Sequence, residues 1–161
     1  MTKFIPNTPT VNPDKEYYID KNIFIKRDFN ISRGIHEAFI CARLGNELDY
    51  FPAFLGYKIG SNYCEMAFSL LQGETLENLK KENKLTIEDK ADIQSQLLNI
   101  FNILQNKQIV HGDINESNLI FNLQTKCLYL IDFEFAQIEV SNRDLTGPHW
   151  GIIHVLKWLY S

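Results

Sequence analysis

At 161 residues, with 45% apolar and 22% charged residues and a net charge of −4, the chain has the size and balance of one soluble globular domain. No basic run stands out, so nucleic-acid binding through phosphate neutralisation is not indicated; no apolar stretch reaches membrane-spanning length, and Met1 to Pro13 lacks the apolar segment of an export signal. Cys41, Cys64 and Cys127 are odd in number, lie in apolar stretches and form no C-x-x-C pair, which predicts reduced thiols in a cytoplasmic protein rather than disulfides or zinc.

Residues 1–14, with Pro6, Pro9 and Pro13 among Asn and Thr, read as an irregular arm. Glu16 to Asp20 and Ile23 to Lys26 then flank Lys21-Asn22 as a hairpin. Ser32 is placed to cap a helix running to Leu44, with Ile35, Phe39, Ala42 and Cys41 or Ala38 as its apolar face and Gly45 as its left-handed stop. Phe54 to Ile59 and Tyr63 to Phe68 form a second hairpin around Gly60-Ser61-Asn62. Thr75 caps a short helix holding Leu76 and Leu79. Thr86 with Asp89 is a capping box opening a long helix, with Ile87, Ala91, Gln94, Leu97, Leu98, Phe101 and Leu104 near one side. Leu119 to Phe121 and Cys127 to Ile131 are short strands joined by a polar turn, and a last helix runs from Pro148 to Tyr160. Periodicity alone says α+β.

The chemistry concentrates in His111-Gly112-Asp113-Ile114-Asn115-Glu116-Ser117-Asn118 and, fourteen residues after Asn118, Asp132-Phe133-Glu134. The intervening hairpin brings Asn118 and Asp132 to one end of a two-stranded ribbon. A carboxylate, an amide and a second carboxylate so placed suit one acceptor hydroxyl and a hard cation, because small oxygen-preferring cations take carboxylate and amide oxygens.

The two segments resemble the kinase catalytic-loop pattern H-R-D-L-x-x-x-N and the D-F-G pattern, with Gly112, Ile114 and Glu134 as departures. Together with the element order, they make roughly residues 15–160 resemble the protein-kinase-like superfamily. The resemblance implies a minimal bilobal α+β fold in one compact domain spanning 1–161. About 15–71 would form a small, mostly β lobe and 72–161 a truncated helical lobe. It further implies that Asp113 orients the attacking hydroxyl and that Asn118 and Asp132 ligate Mg²⁺. Lys26 would steady the ATP phosphates, anchored by Glu37 eleven residues later. Arg27, the competing cation, should face the opposite side of the strand. Gln72-Gly73-Glu74 would meet adenine through backbone groups, and His111 and Asp144 would brace the catalytic loop.

Some departures narrow the expectation. No glycine precedes Gly34, so the glycine-rich loop that covers ATP phosphates in typical kinases is absent from its usual place. Gly112 replaces the Arg that reads a phosphorylated activation loop, and Asn115 stands where protein kinases commonly carry Lys. No A-P-E tripeptide follows, which disfavours a general peptide kinase. Ile131-Asp132-Phe133-Glu134 resembles choline and aminoglycoside kinases. His-Gly-Asp with Ala136-Gln137 resembles lipopolysaccharide-core sugar kinases, and the compact outline resembles small kinases of the Bud and RIO kind. The implied activity is ATP- and Mg²⁺-dependent phosphoryl transfer to a hydroxyl of a sugar-containing or other non-peptide acceptor. The alternatives are a nucleotide-binding pseudokinase scaffold and a Ser/Thr protein kinase whose dedicated protein partner completes its docking surface.

Overall fold

In the computed structural model, which describes residues 2–4, 13–45, 47, 49–138 and 149–161, the chain forms two compact units, Met1–Asn46 with Pro52–Leu70 and Glu47–Phe51 with Leu71–Ser161. The first is an antiparallel sheet and one helix. Strands β1 (Thr2–Phe4), β2 (Lys15–Asp20), β3 (Ile23–Asp28), β4 (Phe54–Ile59) and β5 (Cys64–Ser69) lie in the order β1-β2-β3-β5-β4. Lys21, at φ 55°, turns β2 into β3. The segment read as an irregular arm therefore contains a strand: Thr2–Phe4 pairs with Ile19, Tyr18 and Tyr17.

Helix α1 (Ile31–Leu44) packs on the β3–β5–β4 side of this sheet. Its cap is Asn30, whose side chain accepts from the Arg33 amide at 3.1 Å; Ser32, the expected cap, lies inside the first turn. Gly45 ends the helix at φ 67°, as its position predicts. The buried face also differs from expectation. Gly34, Glu37, Ala38, Ile40, Cys41 and Leu44 are buried, whereas Ile35 and Phe39 are exposed. Gly34 explains the choice: a Cβ there would lie 2.6 Å from the Cβ of Cys64, so only glycine lets the helix backbone rest on β5. That contact turns Glu37, one turn on, toward the sheet.

In the second unit, β6 (Glu74–Thr75) leads into α2 (Leu76–Lys81), capped by Thr75. Helix α3 (Ile87–Asn106) opens with the expected Thr86–Asp89 capping box. It buries Ile93, Leu97, Ile100 and Leu104 at helical spacing, while Ile87 and Leu98 from the expected face are exposed. Strands β7 (Ile109–Val110), β8 (Leu119–Phe121), β9 (Leu128–Leu130) and β10 (Gln137–Ile138) form two small sheets, β6-β8-β9 and β10-β7. Helix α4 (His149–Tyr160) turns Ile152, Val155 and Leu159 inward; Pro148, its expected first residue, lies outside the described residues.

Side-chain ties fix β9 to its neighbours. Gln96 on α3 accepts from the Leu128 amide at 2.8 Å and donates to the Lys126 carbonyl at 2.7 Å. Glu47–Phe51 joins the same unit because Tyr50 accepts the Leu130 amide at 2.9 Å and the Phe51 ring meets Phe133 edge-on at 5.7 Å. The architecture is mixed α+β, a minimal protein-kinase-like fold.

Candidate active site

The loop between β7 and β8 is built around a buried histidine. The Nδ1 of His111 accepts the Asp113 amide at 3.2 Å, so its proton sits on Nε2, which donates to the Ile131 carbonyl at 3.0 Å. Its ring also meets Phe133 at 4.6 Å. One imidazole thus ties the start of the loop to the residues flanking Asp132. The next residue must be glycine: Gly112 has φ 82°, and a Cβ there would lie 2.6 Å from the Phe135 carbonyl oxygen. The arginine usual at this place in kinases would displace the 133–136 turn, which the Ala136 amide closes on the Phe133 carbonyl at 3.1 Å.

Asp113 is held by two neutral amides. Asn115 Nδ2 donates to its Oδ1 at 2.9 Å, and Asn118 Nδ2 donates at 2.9 Å both to its Oδ2 and to its backbone carbonyl. Asn115 is the hub that sequence reading missed. Its Oδ1 accepts from the Ser117 amide at 2.9 Å, the Ser117 hydroxyl at 2.6 Å and the Asn118 amide at 3.2 Å. An Asn two residues before a Ser signals such a turn, but that signal is common to ordinary loops. With its amide nitrogen committed to Asp113, the oxygen of Asn118 is the end that can meet a cation.

Asp132 stands beside this loop. The Ile131 amide donates to the Asn118 carbonyl at 3.0 Å, continuing the β8–β9 ladder in which Leu119 faces Leu130. Asp132 itself has φ 66°. A left-handed aspartate costs of order 1–3 kcal/mol and persists only where its surroundings over-determine it. Here both neighbours are pinned, Ile131 by Asn118 and His111, Phe133 by His111 and Phe51. Among the described residues no three His, Cys, Asp or Glu side chains gather to hold a metal. An amide oxygen and a carboxylate oxygen are hard donors of the kind that Mg²⁺ takes when it keeps several waters.

The loop also rests on α4. A Cβ on Gly151 would lie 2.8 Å from both the Cβ and the carbonyl oxygen of Ile114, and His154 Nε2 approaches Glu116 to 3.5 Å.

In the first unit, Lys26 and Glu37 meet. The Nζ of Lys26 lies 2.9 Å from Oε1 and 2.7 Å from Oε2 of Glu37, with both side chains buried. Arg27 faces the other side of β3, where it binds Glu65 at 2.8 Å and Glu16 at 3.3 Å and lies over Tyr63 and Tyr18. Two hydrogen bonds from Arg27 to Oε2 of Glu65 raise the guanidinium's pKa; burial works to raise that of Glu65, but Lys58 and Arg27 outweigh it and hold the carboxyl below its ordinary range.

Gln72 and Gly73 are exposed, and Glu74 begins β6. Gly73 has φ 139° and a Cβ there would lie 2.7 Å from the Phe121 carbonyl. Glu74 pairs with Lys84 at 2.8 Å, and the hydrogen bonds that Lys84 donates to Glu74 and Glu82 push its pKa up to about 12. Asp144 lies outside the described residues.

Comparison with known proteins follows this geometry. The family described as the phosphotransferase enzyme family (APH) matches residues 56–141, just over half of the 161 and inclusive of the Asp113–Asn118 loop and Asp132. A fowlpox virus (strain NVSL) protein named "Probable serine/threonine-protein kinase" is 30% identical over 102 residues, 60% of this chain and 34% of that protein. The EKC/KEOPS complex subunit bud32 of Dictyostelium discoideum is 26% identical over 129 residues, 78% of this chain and 48% of that protein. The chain thus spans about a third to a half of the length of these relatives. The chain belongs to the phosphotransferase enzyme family.

Proposed function

We propose that the protein is an ATP- and Mg²⁺-dependent kinase acting on a hydroxyl of a sugar-containing or other non-peptide acceptor. The observation that carries this reading is the Asn118 amide, which holds Asp113 by backbone and carboxylate together while Asn118's own carbonyl holds the residue before Asp132. In the transfer, the acceptor oxygen bonds the γ-phosphorus as the bond to the β-phosphate oxygen breaks, ADP leaves, and the hydroxyl proton passes toward Asp113. Asp113 orients that hydroxyl. Asn118 and Asp132 would hold the cation, which would supply charge neutralisation to the phosphates. His111 braces the loop, and Gln72, Gly73 and Glu74 would offer backbone groups to adenine.

The Lys26–Glu37 pair supports the same reading. A buried ion pair contributes little net stability compared with well-packed apolar residues, so a chemical role for Lys26 gives it a reason to be there. Lys26 would steady the α- and β-phosphates and Glu37 would hold Lys26. The three free thiols fit a reducing compartment such as the cytoplasm; among the described residues no helix is long and apolar enough to cross a membrane.

The fowlpox relative's name supports a second reading, a Ser/Thr kinase serving one protein partner, as does the description of bud32 as a complex subunit. MgATP turnover across sugars, amino alcohols and a generic protein separates them. Transfer to a small hydroxyl supports the first reading and transfer to protein alone the second. A nucleotide binding the native state at a hundred times its Kd stabilises it by about 2.7 kcal/mol. Such a thermal shift without ATP consumption would make the protein a nucleotide-binding scaffold.

A further inference from the structure

Asn115 uses the two ends of its amide for different tasks. Its Oδ1 accepts from the backbone amides of Ser117 and Asn118 and from the Ser117 hydroxyl. Its Nδ2 lies 2.9 Å from Oδ1 and 3.3 Å from the backbone carbonyl of Asp113. The orientation of the amide follows from the chemistry of those neighbours. Backbone amides only donate, and carbonyl and carboxylate oxygens only accept, so exchanging the nitrogen and the oxygen would set like against like on both sides.

The turn needs only the oxygen end. An oxygen that accepts from amides two and three residues on is supplied as well by aspartate, and more weakly by serine. The nitrogen end contributes nothing to the turn: among the described residues, both of its partners belong to Asp113. Asparagine rather than aspartate at 115 is therefore explained by Asp113, not by the local backbone. An aspartate there would set a second negative charge against the first.

We infer that Asn115 is a positioning residue for phosphoryl transfer, acting through Asp113. This rests on the reading of Asp113 as the group that orients the acceptor hydroxyl. The torsion that turns a carboxylate about its Cβ–Cγ bond is broad and has little preference of its own. Asn118 alone would hold Oδ2 and leave Oδ1 free to swing; with Asn115 on Oδ1, the plane of the group is set. An ionised carboxylate has about four acceptor sites, so one donor on each oxygen still leaves room for the hydroxyl. A direction fixed before the acceptor arrives costs no ordering in the transition state.

The test is steady-state kinetics of the full chain with MgATP and whichever sugar, amino alcohol or generic protein it phosphorylates. Asn115→Ser and Asn115→Asp both keep a side-chain oxygen for the turn and remove the donor to Asp113; thermal midpoints verify that they fold. Asn115→Ser should lower kcat at least about tenfold with the KM for MgATP within about twofold of native. Asn115→Asp adds repulsion and should lower kcat further. In an Asp113→Asn background, Asn115→Ser should lower the residual rate by less than about twofold, because its effect travels through the carboxylate. Native kcat in both Asn115 variants overturns the inference. So does an equal loss from Asn115→Ser with and without the Asp113 carboxylate, which would make Asn115 a support of the loop as a whole. A native chain that transfers phosphate to none of these acceptors overturns the catalytic reading itself, and this inference with it.

Discussion

Lys26 and Glu37 form an ion pair 2.7 Å long, out of solvent on both sides, inside a unit whose other inward residues are largely apolar. Removing one member of such a pair strands a buried charge and costs about 3–5 kcal/mol, whereas replacing both by apolar residues is often neutral. Glu37→Leu alone should therefore lower stability by that amount. The Lys26→Met/Glu37→Leu double variant should recover most of it and still transfer no phosphate. Urea unfolding of the four proteins in the cycle measures the first effect, and MgATP turnover the second.

Asp113 depends on Asn118 for its carboxylate and its backbone carbonyl alike. Asp113→Asn should keep the fold and lower the transfer rate about 10²–10⁴-fold, the usual contribution of a positioned acid–base group. Asn118→Ala removes both the clamp and a proposed cation ligand, so it should lower the rate and also raise the Mg²⁺ concentration needed for half-maximal activity. A Mg²⁺ titration of each variant distinguishes the two roles.

Gly112 and Gly45 both have positive φ, yet they should respond differently to a methyl group. Gly45→Ala meets nothing within 4 Å and carries only backbone strain, about 1–2 kcal/mol. Gly112→Ala adds a 2.6 Å approach to the Phe135 carbonyl and should cost about 3 kcal/mol or more. Denaturant midpoints of the two variants provide the comparison.

Asp89 links the start of α3 to the β8–β9 turn through Thr86 and Lys126. Burial works to raise its pKa, but the Lys126 ammonium and the Thr86 hydrogen bonds outweigh it and set the value below the ordinary 3.8. A depressed folded-state pKa stabilises above the unfolded value, and that stabilisation disappears as pH falls through the folded value. Asp89→Asn should accordingly lower the thermal midpoint at pH 7 and flatten its decline in acid. Melting curves from neutral pH down to about pH 2 provide the check.

The legible parts of the molecule were those governed by local chemistry. The Thr86–Asp89 box, the Thr75 cap and the Lys21-Asn22 turn each depend on a few adjacent residues. The β8–β9 hairpin follows from two apolar triplets around a polar turn. The orientation of α1 was not legible, because the apolar residues Ile35 and Phe39 outweigh Gly34 in any count of hydrophobicity. Gly34 nevertheless decides the contact, since it alone permits the approach to Cys64. The same rotation that exposes Phe39 brings Glu37 to Lys26. In the loop, the positions of Asp113 and Asn118 could be read from spacing. The hub role of Asn115 could not, because it lies in hydrogen bonds that many loop asparagines make.

Phosphoryl transfer from MgATP by the intact chain, beside an Asp132→Asn variant, addresses the site most directly. Asparagine tolerates the left-handed backbone at position 132 and removes only the charge, so the fold should remain. The native chain should consume ATP in a Mg²⁺-dependent manner with an acceptor present, and the variant should lose at least about a hundredfold of that rate. Equal consumption by the two proteins would contradict the assignment of Asp132, with Asn118 and Asp113, as the centre of the chemistry.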